Sequence, residues 1–222
     1  MSLRTDIMQV LRSPNCRHVN FAFGSLRVSG SGYGTVADRI ANRQIQVVQS
    51  STMPSTLAAY NRRFNCFVVG AAPSRSLIVH EATHAMSDLR RARISDVDDE
   101  CCAYTAEMVF ALLDDPGLRA RIEQPAARAQ FTRNIGRTVQ QCRTEPGLCN
   151  TAVIGEATLI ALDILARRRV NAETLRALRE VLDRDPQTHR DPARTVRVYD
   201  GISRATIPAD YLSEVGGTVI ND

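Results

Sequence analysis

The sequence predicts an α+β fold in which a small β-containing part precedes a helical part. Residues 1–73 hold short runs of alternating apolar and polar residues that break at glycines, which is typical of strands and turns. From residue 74 the apolar residues recur with helical spacing. We therefore expect a single domain over residues 1–222, mainly helical over 74–185, with residues 186–222 as an irregular tail.

Three stretches of the N-terminal part are strand candidates. Residues 18–34 alternate and then become glycine-rich, which indicates a strand followed by a turn. Residues 43–49, "RQIQVVQ", and 64–70, "FNCFVVG", are the second and third candidates. The segment between them, residues 51–63, is expected to form a short helix or a loop.

The helical part begins with a capping signal. Ser74 or Ser76 can cap a helix that runs to about Arg91. A second helix begins after Ser95 and ends at Pro116, which is followed by glycine. Further helices are expected at about 125–142, 151–168 and 172–184.

Composition argues against several classes of protein. With 44% hydrophobic and 23% charged residues, the chain has the make-up of an ordinary soluble domain. No run of about 18 apolar residues lacks a charge, so no membrane partner is expected. No signal peptide is recognised, which predicts a cytoplasmic protein or one exported by another route. All 28 basic residues are arginine, but the net charge is only +4 and no nucleic-acid motif is present, so no nucleic-acid partner is expected.

The six cysteines form no C-x-x-C pair, which makes a cysteine zinc knuckle improbable. Cys142 and Cys149 bracket a Pro-Gly turn that can bring them together. A disulfide between them is one option, and reduced, partly buried thiols are the other.

The stretch "SLIVHEATHAMSDL", residues 76–89, carries the strongest chemical signal. His80 and His84 are four residues apart, so on a helix they lie on one face and can bind one zinc ion. Glu81 is offset from that face and is placed to act as general base on a metal-activated water. The alternative is a pair of core histidines beside an unrelated glutamate.

A catalytic zinc needs a third protein ligand and an open position for water. The two other histidines are remote in sequence, so we expect an acidic ligand. The candidates are Asp88, Asp96, Asp98, Asp99, Glu100 and Glu107. Glu100 is preferred because the compact residues 101–103 follow it and let its helix pack closely. Glu107 comes next, and the other acids stay open.

Several other polar residues are candidates for supporting roles. Asp88 is one turn beyond His84, where it either hydrogen-bonds a ligand or is an exposed helix charge. An oxyanion would need a donor, and the sequence does not choose among the candidates, which are Tyr104, His189, Tyr199 and Tyr211. Glu156 and Asp163 lie two turns apart in the apolar run 151–165, where an exposed stripe is expected and a polar site faced by one of them is the alternative.

"LIVHEATHAMSDL" followed by "ECCAYTAEMVFALL" resembles the gluzincin branch of the zincin metallopeptidases. Glu100 and Ala103 are similar to the E-x-x-A pattern of small bacterial zincins, including toxin-type peptidase domains and the ImmA/IrrE family. The resemblance covers residues 60–115. Gluzincins often carry an aspartate four residues after the glutamate ligand, but this chain has Tyr104 there.

The resemblance implies a zincin-like fold and a zinc metallopeptidase, with an endopeptidase favoured over an exopeptidase. It implies one Zn²⁺ per chain, held by His80, His84 and Glu100, with Glu81 as general base and a polypeptide as substrate. It also implies a β-sheet whose edge strand binds the substrate, and residues 64–70 are the candidate for a strand of that sheet. A bacterial effector or toxin is a narrower expectation. The alternatives are a non-catalytic zinc-binding sensor or interaction domain, and a helical interaction protein without metal.

Overall fold

The computed structural model describes residues 2–23, 26–184, 196–198 and 206–221. These residues form helices and small β-sheets, which confirms the α+β class. The helices are α1 (Leu3–Leu11), α2 (Pro14–Arg17), α3 (Gly30–Ala41), α4 (Arg75–Leu89), α5 (Asp96–Asp114), α6 (Pro116–Glu123), α7 (Pro125–Gln141), α8 (Cys149–Leu165), α9 (Ala172–Arg184) and α10 (Ala209–Glu214). The strands are β1 (Phe21–Phe23), β2 (Leu26–Val28), β3 (Gln46–Ser50), β4 (Ala58–Asn61), β5 (Cys66–Val69), β6 (Arg93–Ser95), β7 (Val196–Val198) and β8 (Gly217–Val219).

The chain divides into two compact units. The sheet unit consists of Met1–Asn20, Val28–Arg93 and Val198–Asp222. The helical unit consists of Phe21–Arg27 and Ile94–Arg197. The single domain expected over residues 1–222 stays a prediction.

The sheet unit is built on a four-stranded sheet in the order β4-β5-β3-β8. Strand β5 is parallel to β3 and antiparallel to β4, while β8 is antiparallel to β3. All four residues of β5 are buried, as an apolar inner strand requires. The strands expected within residues 43–49 and 64–70 are present as β3 and β5.

The loop or helix expected over residues 51–63 is wrong in part, because the segment contains β4. Its sequence, Ala-Ala-Tyr-Asn, has little β propensity of its own, so pairing with β5 decides its structure. The glycine-rich stretch before it also differs from the expected turn, because Gly30 begins α3. Ser29 caps that helix by accepting a hydrogen bond from the Gly32 N–H.

Helices α1, α3 and α4 pack against one another in the sheet unit, and α4 also packs against β4. Gly32 permits the close approach of α3, since a Cβ there would lie 2.5 Å from the Met86 sulfur. The Tyr33 hydroxyl is 2.9 Å from the Thr83 hydroxyl, which ties α3 to the middle of α4. The largest fully buried side chains of this unit are Ile7, Leu11, Tyr33, Ile40, Ile45, Phe67 and Met86.

The helical unit is organised around α8, which packs against α5, α7 and α9. Gly155 lets α7 approach closely, because a Cβ there would overlap the Ile135 side chain.

The stretch Pro146–Leu165 is long and apolar enough to cross a membrane, and it is the one such stretch among the described residues. However, 61% of its apolar window is buried, as expected for the core helix of a folded unit. Helix α6 was not expected, because Pro116 was interpreted only as the end of the preceding helix. In the structure it also begins α6, as proline can at the first helical position.

Two further expectations concern the state of the cysteine thiols and the structure of the C-terminal segment. All six cysteines are free and buried. Cys142 and Cys149 are therefore reduced thiols and do not form the disulfide. Burial raises the pKa of the Cys66 thiol to about 12, which keeps it protonated at neutral pH. Residues 186–222 were expected to be an irregular tail with one short strand, and the described residues there form β7, α10 and β8, of which β8 extends the sheet at β3.

Candidate metal centre

Helix α4 carries the H-E-x-x-H stretch as a largely buried helix. It begins after Ser74, one of the two expected caps, although the Ser74 side chain makes no capping hydrogen bond. His80 and His84 are 5% and 7% exposed, and their ring centroids are 5.1 Å apart. The four-residue spacing therefore places both imidazoles on one face, as the sequence predicts.

Helix α5 carries the acidic candidates that follow the motif. Ser95 caps it, with its Oγ accepting a hydrogen bond from the Asp98 N–H at 3.0 Å. Glu100 directly follows the first turn and is half-buried. The Asp98 carboxylate pairs with Arg179 at 2.8 Å, within the helical unit.

His80, His84 and Glu100 form a group that could hold a metal ion. Each offers one ligand atom, and these atoms all lie within 4.8 Å of one another. Two imidazole nitrogens and one carboxylate oxygen are a donor set that zinc accepts in catalytic sites, so the residues fit that ion. The donors alone leave the identity of the metal open, because imidazole also suits copper, iron and nickel.

None of the other acidic candidates belongs to this group, which is the one found among the described residues. Asp99 is fully buried and Glu107 is 9% exposed, and neither belongs to the group. Glu100, the preferred candidate, is therefore the acidic candidate that belongs to the group.

Glu81 is not part of the metal group and has a partner on the sheet. Its Oε2 accepts a hydrogen bond of 2.7 Å from the main-chain N–H of Tyr60. Tyr60 lies in β4, which is one of the two edge strands of the four-stranded sheet as described. Sequence reasoning missed Tyr60, because its segment was expected to be a loop or helix and no local pattern marked it.

Asp88 is buried rather than exposed, so the alternative of a surface charge is wrong. Only 1% of it is exposed, and its Oδ2 accepts a hydrogen bond of 2.7 Å from the Tyr60 hydroxyl. The same hydroxyl lies 3.2 Å from Asn65 Oδ1. Tyr60 therefore contacts α4 at two points, Glu81 and Asp88.

The four candidates for the oxyanion donor lie in different places. Tyr104 is half-buried on α5, one turn after Glu100. The Tyr211 hydroxyl accepts a hydrogen bond from Asn61, and its ring packs 4.6 Å from that of Phe64. Burial raises the pKa of Tyr211. The remaining two candidates, His189 and Tyr199, lie outside the described residues.

Cys101 and Cys102 follow Glu100 and are fully buried. Burial raises the pKa of both thiols, which favours the neutral form at physiological pH. This agrees with the interpretation of both residues as small, buried packing residues.

Comparison with known proteins does not assign the chain to a family. No family model matches the chain, no curated protein matches it, and no solved structure matches it. The resemblance of the motif to zincins stays a prediction, and any function has to be argued from the residues themselves.

Proposed function

We propose that this protein is a zinc-dependent metallopeptidase with a zincin-like fold. The observation that carries the proposal is the group formed by His80, His84 and Glu100, whose ligand atoms all lie within 4.8 Å of one another. The H-E-x-x-H spacing predicts the two histidine ligands, and the group adds Glu100 as the third.

The metal would be held by His80, His84 and Glu100. When bound, zinc polarises a substrate carbonyl and lowers the pKa of water towards about 7. Glu81 then has the role of general base, since its carboxylate is outside the ligand group and keeps its proton-accepting capacity. It takes up the proton of the attacking water and passes it to the leaving nitrogen.

The edge of the sheet supports a polypeptide as substrate. Among the described strands, β4 has β5 on one side and no strand on the other. An extended peptide can add to such an edge through main-chain hydrogen bonds other than the one that the Tyr60 N–H gives to Glu81, without strict dependence on its sequence. A chain bound in this way can continue past the site in both directions, which favours an endopeptidase over an exopeptidase.

A non-catalytic zinc sensor or interaction domain fits less well. A structural zinc site is closed by four protein ligands. The group contains three, and no larger group is present among the described residues. A purely structural site also has no use for a glutamate directly after the first histidine ligand.

Glu81→Gln tests the proposal. The amide keeps the size and a hydrogen-bond acceptor but cannot take up a proton, so we expect zinc to stay bound while peptide hydrolysis falls by about 10²-fold or more. Zinc is measured by elemental analysis, and hydrolysis is measured on a peptide library. The exposed Glu145 provides a matched control, because Glu145→Gln makes the same change away from the site. Full hydrolysis by zinc-loaded Glu81→Gln would refute the mechanism.

A further inference from the structure

Strand β4 presents alternate main-chain groups to its open edge. The Gly70 N–H donates to the Leu57 carbonyl at 2.9 Å, so that residue pair is hydrogen-bonded across the two strands. In an antiparallel pair such positions alternate. The register Ala58↔Val69 and Tyr60↔Phe67 therefore turns the N–H groups of Ala58 and Tyr60 away from β5.

The outward N–H of Tyr60 is already engaged by the motif helix. Glu81 Oε2 accepts it at 2.7 Å, a distance typical of a hydrogen bond to a charged acceptor. This bond fixes one oxygen of the Glu81 carboxylate against the main chain of the strand. A main-chain donor has little freedom to move, so it orients the carboxylate better than a flexible side chain would.

The Tyr60 side chain holds the strand in the position that this bond requires. Its hydroxyl bonds the buried carboxylate of Asp88 at 2.7 Å, and its ring packs 5.5 Å from that of Phe67. Glu81 and Asp88 are seven residues apart, two turns of the same helix. Tyr60 thus bridges the edge strand and α4 at two separate points, and all of these residues belong to the sheet unit.

We propose that Tyr60 is a positioning residue for Glu81. Its phenol, anchored on Asp88, holds β4 where the Tyr60 main-chain N–H orients the Glu81 carboxylate. The role as positioning residue for a general base rests on the proposed peptidase function. The two hydrogen bonds themselves can be tested without a substrate.

Hydrogen exchange at the amide of residue 60 is the direct test. An outward amide on an edge strand exchanges quickly unless an acceptor protects it. We expect protection in the wild type and about tenfold or faster exchange in Glu81→Ala, because a hydrogen bond to a charged acceptor is lost. Tyr60→Phe, which keeps the ring and the amide, is expected to show a similar rise. An unchanged rate in either variant would overturn the proposal.

Tyr33→Phe is the matched control. It also removes a hydroxyl that bonds α4, but at Thr83 rather than at Glu81 or Asp88. We expect the exchange rate at residue 60 to be unchanged in this variant, and a rise would assign the effect to general loosening of α4. If Tyr60→Phe does not fold, Asp88→Asn weakens the same anchor by removing the charge of the acceptor. An unchanged rate in that variant would likewise overturn the proposal.

Metal content and kinetics separate positioning from other roles. Tyr60→Phe is expected to keep the zinc content of the wild type, and loss of zinc would show that Tyr60 supports the ligands instead. With a cleaved peptide, we expect kcat to fall about tenfold with KM unchanged. A rise in KM alone would assign Tyr60 to substrate binding. Failure of the peptidase function would appear differently, as wild-type protein without zinc or as full hydrolysis by Glu81→Gln.

Discussion

Glu100 and Glu107 lie two turns apart on α5 and differ in one respect that matters for metal binding. Glu100 belongs to the group with His80 and His84, and Glu107 does not. We expect Glu100→Gln to lower zinc affinity by at least about tenfold, because the third ligand loses its charge. Competition with a zinc-binding dye measures the affinity.

Glu107→Gln is the control for that substitution. It changes a buried glutamate of the same helix, 9% exposed, that does not belong to the group. Its zinc affinity should equal that of the wild type. The reverse order of affinities would assign the third ligand to Glu107 and contradict the site described above.

Glu156 is a buried carboxyl on α8, where an exposed stripe was expected. It is 6% exposed, and burial raises its pKa from the usual 4.5 to about 7. The unfolded chain ionises this group near its ordinary pKa, while the folded chain holds the proton until about pH 7. Its contribution to stability is therefore fully present below about pH 4.5 and is lost as the pH rises to about 7.

Glu156→Gln should remove this pH dependence. We expect the variant to exceed the wild type in free energy of unfolding by about 1–3 kcal/mol at pH 8, with the difference shrinking towards pH 5. Urea denaturation across this pH range measures it, with the exposed Glu145→Gln as control. A difference that does not vary with pH would mean that titration of Glu156 is not its cause.

At the scale of elements, Gly70 fixes the connection that leads into β4. A Cβ at this position would overlap the main-chain carbonyl oxygens of Pro54 and Ser55, which cannot move aside as a flexible side chain can. We expect Gly70→Ala to lower the free energy of unfolding by about 1–3 kcal/mol through overpacking. The midpoint of chemical denaturation measures the change.

Gly136 offers the opposite case on α7. A Cβ there would meet nothing within 4 Å, so Gly136→Ala should stabilise the helix by about 0.5–1 kcal/mol. If both substitutions stabilised the protein, the close approach at Gly70 would not be present in solution.

Helices whose apolar residues recur with a helical period could be predicted from the sequence. Strands whose structure depends on pairing with another strand could not. Helices α4 and α5 follow from caps and apolar spacing, and so do the motif residues that they carry. Strand β4 could not be found, because its four residues take their structure from β5. The contacts of Tyr60 with Glu81 and Asp88 depend on that register, so the burial of Asp88 was equally out of reach of the sequence.

For the whole molecule, the metal is the claim on which the other functional claims depend. The peptidase proposal rests on the group that His80, His84 and Glu100 form. Because ligands from separate parts of the chain must be held together, metal binding is also expected to stabilise the folded state.

Elemental analysis is the most direct test of that claim. The protein is purified without chelator and without a histidine tag, beside a His84→Ala variant. The account predicts about one zinc per wild-type chain and a loss of that zinc in the variant. Wild-type protein that holds no zinc even after reconstitution, or a variant that holds as much as the wild type, would contradict it.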